Sequence, residues 1–158
     1  MKKSIRICGA AIILGCMMAF PAQAAQTRAE YRTQAAPVRA ELKEAAASLK
    51  ELREENKASA AGYKAVRLSK KETGALSVDK EDWKQARELH GQIADLRKEM
   101  GKSEAKGLMQ EAKAAAKQKD YDTALDRLKQ VLEIRKDRLE AIEQIHSLWQ
   151  EIDALLAE

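Results

Sequence analysis

The chain has 158 residues, of which 34% are charged and only 4% are aromatic. This composition is typical of long helices or coiled coils and excludes a deep aromatic core. The formal net charge of +4 falls to +1 without the first 24 residues, which hold three basic residues and no acidic one. Charge therefore gives no support to nucleic-acid binding.

Residues 1–24 have the order of a secretory signal peptide. Three basic residues precede an apolar run of about 14 residues, and the small residues Ala22 and Ala24 mark a cleavage site. A membrane span needs about 20 apolar residues, so an anchor is disfavoured. We therefore expect an exported protein, periplasmic or extracellular, whose mature chain is residues 25–158.

The leader also contains a possible lipidation site. The segment Ile13 to Cys16 (ILGC) is similar to the lipobox of bacterial lipoproteins, although Leu14 stands where that motif usually has a small or β-branched residue. Lipidation at Cys16 would anchor the protein, weakly if only one acyl chain is present. Conventional cleavage instead removes both cysteines, Cys8 and Cys16, and leaves no disulfide.

The first predicted helix covers about 28–68. Thr27 and Glu30 fit a capping box, and apolar residues then recur at spacings of three and four, which is typical of coiled-coil packing. Pro37 removes one helical hydrogen bond, so we expect a kink there. Asn56 stands in the repeat, where it either fixes the register or is solvated. The repeat positions are Tyr31, Ala35, Val38, Leu42, Ala45, Leu49, Leu52, Asn56, Ser59, Tyr63 and Val66.

The second predicted helix covers about 79–118 and follows a predicted loop over residues 69–78. Asp79, or the serine two residues before it, is expected to cap the helix. The apolar stripe changes direction by about 120° beyond Gly101 and Gly107. We favour one kinked helix, while a full break would give two shorter helices.

The third predicted helix covers about 122–157. Its start, within KQKDYDTALDRLKQVL (117–132), matches the turn and second helix of a tetratricopeptide unit, but no second copy lies about 34 residues away. We therefore predict a single turn and not a repeat protein. Three helices of similar length with reversing connections predict an all-α, elongated up-down-up three-helix bundle, or four helices if the middle one breaks.

The last helix carries more apolar side chains than one neighbouring helix can cover. Either it forms the core between two helices, or it presents a face for a second copy or an unfolded client. The candidate face is Ile142, Ile145, Leu148, Trp149, Ile152 and Leu155.

Enzymatic chemistry finds little support in the sequence. His90 and His146 lie on different predicted helices, and no G-x-S-x-G, phosphate-binding loop or H-E-x-x-H motif occurs. Two His and two Met in the mature chain are too few to suggest a metal site. The carboxylates alternate with Lys and Arg, as on a solvated face. We predict a non-enzymatic protein without catalytic, cofactor-binding or metal sites and without a cofactor.

The mature chain, with its segment LSVDKEDWKQARELHGQI (76–93), resembles the Spy/CpxP-type periplasmic proteins. That group has L-T-x-x-Q motifs at a helix start; here Leu76 and Ser77 fit, but Lys80 replaces Gln. The resemblance implies ATP-independent chaperone or envelope-stress work by dimeric helical proteins. The alternative is a structural or adaptor coiled coil that pairs with itself or an envelope partner. Both imply a protein partner, no nucleic acid and no stable membrane span.

Overall fold

The computed structural model describes residues 27–157. The predicted leader, its cleavage site and Cys16 lie outside these residues. The described chain contains no strand, so the all-α prediction is confirmed. Its helices are α1 (Arg28–Thr73), α2 (Lys80–Glu99), α3 (Ala105–Lys117) and α4 (Tyr121–Leu156).

Helix α1 has 46 residues, or about 69 Å at 1.5 Å per residue. Its capping box is confirmed: Thr27 Oγ1 accepts from Glu30 N at 3.2 Å, and the Glu30 carboxylate accepts from Thr27 N at 3.1 Å. The helix continues through Pro37 and past its predicted end at residue 68. It ends only at Gly74, whose φ of 73° is left-handed and favours a residue without Cβ.

The predicted coiled-coil repeat of α1 is the face that this helix buries. Every buried residue of α1 belongs to the repeat, and the remaining repeat positions, Leu52, Ser59 and Val66, are half-buried. The spacing of three and four therefore identified the core-facing side correctly, because it keeps one stripe of a helix turned toward its neighbour.

Two helices replace the single kinked helix that we favoured for residues 79–118. Helix α2 begins at the predicted cap, where Asp79 Oδ1 accepts from Glu81 N at 2.7 Å. It ends because Gly101 adopts a left-handed φ of 52°. Arg138 of α4 donates to the Gly101 carbonyl at 3.4 Å across this break. The chain restarts as α3 at Ala105, which allows the apolar stripe to take its new direction.

Helix α4 is the central element, since it contacts all three other helices. Tyr31 stacks on Tyr121 near the start of both helices, and Asn56 contacts His146 further along, so α1 and α4 run parallel. Helices α2 and α3 follow one another along α4 in the opposite direction. The described chain thus has four helices, the alternative to the three that we favoured.

A tight turn over residues 118–120 joins α3 to α4 at the predicted position. Lys119 adopts a left-handed φ of 64°, which is unfavourable for a residue with a Cβ. Asp120 then caps α4, with its Oδ1 accepting from Thr123 N at 3.2 Å. The turn reverses the chain within three residues and brings α3 against α4.

Two clusters of buried side chains follow one another along the bundle. The cluster formed by α1, α3 and α4, here called the alanine-rich region, contains Tyr31, Ala35, Val38, Leu42, Ala112, Ala115, Ala124, Leu125, Leu128, Val131 and Leu132. The cluster formed by α1, α2 and α4, here called the aromatic region, contains Leu49, Tyr63, Trp83, Ala86, Ile93, Ile142, Ile145, Trp149 and Ile152.

Candidate functional site

Most of the candidate binding face on the last helix lies in this chain's own core. α1 and α2 cover these side chains as part of the aromatic region. Leu148 and Leu155 differ, since they are half-buried and line an open groove. The exposed fractions of the four buried members are 8% for Ile142, 0% for Ile145, 1% for Trp149 and 0% for Ile152.

The open groove runs between α2 and α4 and is here called the α2–α4 groove. It consists of three adjoining hollows with volumes of about 530, 810 and 450 Å³. All residues that line it belong to α2, α4 or the chain between α2 and α3, and none belongs to α1. The groove therefore lies on the side of the α2–α4 pair that α1 leaves uncovered.

The floor of the α2–α4 groove has the spacing of a coiled-coil interface. Half-buried apolar residues recur every seven positions on both helices, the repeat that places them on one face. An additional helix laid into the groove would meet two such stripes. The stripes are Leu89 and Leu96 on α2, and Ile134, Ala141, Leu148 and Leu155 on α4.

The walls of the groove are acidic. Two of its hollows, extending from Gln85 to Glu99 along α2, are lined by six carboxylates and by no Lys or Arg of the described chain. The third hollow, at the break after α2, adds Lys102 and Arg138. The sequence indicated a mixed solvated face, but the helical arrangement gathers negative charge here. The six acidic residues are Glu88, Asp95, Glu99, Glu140, Glu143 and Glu151.

A group of aromatic rings fixes α2 against α1 and α4 behind the groove. The Tyr63 ring stacks on Trp83, with centroids 5.2 Å apart, and on His90, with centroids 4.6 Å apart. Trp149 meets Tyr63 and His90 edge-on at 6.1 and 5.8 Å. These ring pairs add to apolar burial and hold the α2 wall of the groove in place.

Burial changes the proton affinity of two members of this ring group. It raises the pKa of the Tyr63 hydroxyl and lowers the pKa of His90 below the ordinary 6.5, with Arg97 and Arg67 lowering the pKa of His90 further. His90 therefore remains neutral at a lower pH than an exposed histidine. Stacked between rings, it acts as a packing residue.

His146 belongs to a separate polar network between α1 and α4. Its Nδ1 lies 2.9 Å from Asn56 Oδ1, and its Nε2 lies 2.9 Å from the Gln150 amide nitrogen. With the proton on Nδ1, His146 donates to Asn56 and accepts from Gln150. The Glu55 carboxylate, 3.5 Å from Nε2, is placed to pair with the imidazolium form. Asn56 is buried, with 4% exposed, so of its two expected roles the solvated one is excluded.

Neither a metal-binding cluster nor a membrane-crossing helix is found in the described part of the chain. Within residues 27–157, no group of three or more His, Cys, Asp or Glu side chains is arranged to hold a metal ion. None of the helices in that same range has the length and hydropathy needed to cross a membrane.

Leu89 and Leu96 line the groove although the sequence did not indicate a groove there. Both belong to the apolar residues of the second predicted helix, and both do pack against the aromatic region, but they are only half-buried and also line the groove. Their seven-residue spacing, matched by Leu148 and Leu155 on the last helix, was the available signal. It did not reveal the groove because the sequence alone does not show which pair of helices lacks a third neighbour.

Comparisons with protein-family models, with curated proteins and with solved structures give no match for this chain. The resemblance to the Spy/CpxP-type proteins therefore remains a prediction.

Proposed function

We propose that this protein is an exported, non-enzymatic helical protein that binds polypeptide segments of other proteins, acting as an ATP-independent chaperone. The α2–α4 groove is the observation that supports this proposal. It offers solvent a continuous apolar floor made of half-buried side chains. Among the described residues, the one large hydrophobic side chain that is exposed is Leu68, which stands alone on α1. Contiguous, partly exposed apolar surface with a polar border is typical of protein interaction sites.

Binding in such a groove needs no chemical energy source. A client segment would place apolar side chains on Leu89, Leu96, Leu148 and Leu155, gaining about 25 cal/mol for each Å² of apolar surface removed from water. The carboxylates on both walls keep the empty groove hydrated and the protein soluble. Release then follows from dilution or from folding of the client.

The proposal takes the molecule in solution as an elongated up-down-up bundle, in which α2 and α3 together form the descending segment and pack on the central helix α4. In this arrangement the groove follows the long axis beside the aromatic region. A segment can enter from the side without opening the core, because α1 covers the opposite face of the α2–α4 pair.

A structural or adaptor coiled coil is the second candidate. The seven-residue spacing of the floor favours it, since knobs-into-holes packing suits one defined helix better than varied unfolded clients. The partner would then be a second copy or an envelope protein, held in one register. Such a complex would be stoichiometric and stable, whereas chaperone binding is transient and tolerant of sequence.

Light scattering of an aggregating protein tests the first candidate. We expect purified protein at equal molar ratio to slow the aggregation of a chemically denatured client. A Leu148→Gln/Leu155→Gln variant should lose most of this effect, because it makes the floor polar. Leu68→Gln, on α1 outside the groove, is the matched control and should retain the effect. Circular dichroism of all three proteins checks that the helices remain.

The outcome also separates the two candidates. If the wild-type protein does not slow aggregation, client binding is contradicted. Chemical crosslinking and sedimentation then test the adaptor, which requires either self-association or a recovered partner that depends on Leu148 and Leu155. A monomer at high concentration without a crosslinked partner would contradict the adaptor as well.

Export is tested by the amino terminus of the protein that accumulates in the producing cell. We expect the chain to start at Ala25, as signal peptidase cleavage after Ala24 requires. A chain that starts with a lipid-modified Cys16 would support the lipoprotein alternative. Retention of residues 1–24 on a protein located inside the cell would contradict export.

A further inference from the structure

The α2–α4 groove has a charge that limits what it can hold. Six carboxylates line two of its hollows, from Glu88 and Glu151 at one end to Glu99 and Glu140 at the other, and no Lys or Arg of the described chain accompanies them there. Within residues 27–157, none of the six belongs to a salt bridge. Like charges repel one another, and the described residues that line these two hollows include no cation to offset them; Lys102 and Arg138 lie at the third hollow, beside Glu99 and Glu140.

Other acidic residues of the bundle show a different arrangement. Glu41 of α1 pairs with Lys136 of α4 at 2.9 Å, and Glu111 of α3 pairs with Arg127 of α4 at 3.0 Å. These pairs join helices across the contacts that α1 and α3 make with α4. Beside the α2–α4 groove, no further helix of the described chain packs against α4 to supply such cations. The six carboxylates of the groove walls therefore face solvent.

The apolar floor has the dimensions of one helix. Along α4 it extends from Ile134 to Leu155, about 32 Å at 1.5 Å per residue. Leu89 and Leu96 provide the facing stripe on α2. A helix of about 20 residues with apolar side chains every third and fourth position would cover this floor. Its flanking positions, which correspond to the e and g positions of a coiled coil, would then face the carboxylates.

We propose that the occupant of the α2–α4 groove is a cationic amphipathic helix of a partner protein. The inference rests on the proposed function and specifies its ligand: apolar residues at heptad spacing, Lys or Arg at the positions beside them, and a length of about 20 residues. The apolar residues lie on the leucine floor, and the cations pair with Glu140, Glu143 and the other wall carboxylates. Electrostatic attraction selects this helix over an acidic one of the same apolar pattern.

Two synthetic peptides of 21 residues test the charge selection. They share the same apolar heptad positions, but one carries Lys and the other Glu at the flanking positions. Fluorescence anisotropy titrations at about 0.05 M salt should show binding of the cationic peptide only. Binding should weaken as the salt concentration rises to about 0.5 M, because exposed ion pairs are screened.

A pair of charge-neutralised variants locates the binding site. Each exposed ion pair contributes about 0.2–1 kcal/mol, so Glu140→Gln/Glu143→Gln should weaken cationic-peptide binding by about 2- to 30-fold. Glu44→Gln/Glu51→Gln removes the same charge from exposed positions of α1, outside the groove, and should leave binding unchanged. Circular dichroism confirms that both variants fold as the wild type does.

Each of the remaining outcomes would contradict a different part of the inference. Equal binding of both peptides would overturn the charge selection but leave the groove as a binding site. Failure of both peptides, with suppression of client aggregation intact, would overturn the cationic helix and leave the proposed function standing. If aggregation suppression fails too, both proposals fall. Equal weakening by the two double variants, or a stable dimer whose second copy covers the groove, would also contradict the inference.

Discussion

The two ends of the bundle bury different kinds of side chain around the same central helix. In the alanine-rich region, small residues of α1, α3 and α4 meet, with Ala35 and Ala124 both 0% exposed. In the aromatic region, Tyr63, Trp83 and Trp149 fill the space between α1, α2 and α4. Small side chains allow helix backbones to approach closely, whereas large rings keep them apart.

This difference explains why the groove lies where it does. Helix α3 has only 13 residues, and it buries alanines against α4, next to the tight turn that joins them. Helix α2 is held from behind by the rings, which occupy the side toward α1. The opposite side of the α2–α4 pair then retains half-buried leucines that no other helix covers. The aromatic region therefore combines a large buried contact with a partly exposed apolar surface.

The largest effect on stability is expected from Trp149, which joins all three helices of the aromatic region. Trp149→Ala should reduce the free energy of unfolding by about 3–5 kcal/mol because it leaves a large cavity. Urea denaturation measures the change. Trp149→Phe should cost clearly less, because within the described residues the indole Nε1 has no hydrogen-bond partner to lose. A loss below about 1 kcal/mol for the alanine variant would show that the ring group does not hold this region together.

A smaller effect is expected from filling the close helix contact of the alanine-rich region. Ala124→Leu should reduce the free energy of unfolding by about 1–3 kcal/mol, because a fully buried alanine leaves no room for added methyl groups. Ala114→Leu on α3, where the side chain is exposed, is the matched control and should be nearly neutral. Equal effects at the two positions, measured by urea denaturation, would contradict close packing in this region.

Gly101 and Lys119 have a left-handed φ at the ends of α2 and α3. Substitutions at these two residues should change stability by still smaller amounts and in opposite directions. Gly101→Ala should destabilise the protein by about 1–2 kcal/mol, because a Cβ disfavours the φ of 52°. The added methyl group itself would meet only the Glu99 carbonyl, at 3.9 Å, so the cost is conformational. Lys119→Gly should raise stability by up to about 1 kcal/mol by relieving the same strain. Thermal melts of both variants give the signs, and a shift in the same direction for both would contradict this account.

Much of the fold followed from local patterns in the sequence. The capping box at Thr27, the α1 repeat and the start of α4 were predicted within a residue or two, because caps and apolar spacing act within a few turns of one helix. The break after α2 was the less favoured alternative. Gly101 permits a left-handed residue but does not require one, so the sequence left both outcomes open.

The candidate site was predictable only in part, since it depends on contacts between helices far apart in the chain. Leu148 and Leu155 belong to the predicted binding face and line the groove, but their neighbours Ile145, Trp149 and Ile152 are core. All five lie on one broad face, and only the position of α1 and α2 decides which part of that face is covered. The acidic walls escaped prediction for the same reason: Glu88 and Glu151 are brought together by the packing of α2 on α4.

The smallest expected effect is a dependence of stability on pH that arises in the aromatic region. Burial, with Arg97 and Arg67, lowers the pKa of His90 in the folded protein below the ordinary 6.5. Between these two pKa values the unfolded chain binds more protons than the folded chain, so stability falls as the pH drops below about 6.5 and levels off below the lowered pKa.

His90→Phe keeps a ring against Tyr63 but cannot bind the proton. Urea unfolding at several pH values from about 7.5 to 5 should therefore give a flatter profile for the variant. Parallel profiles for the two proteins would contradict the lowered pKa of His90.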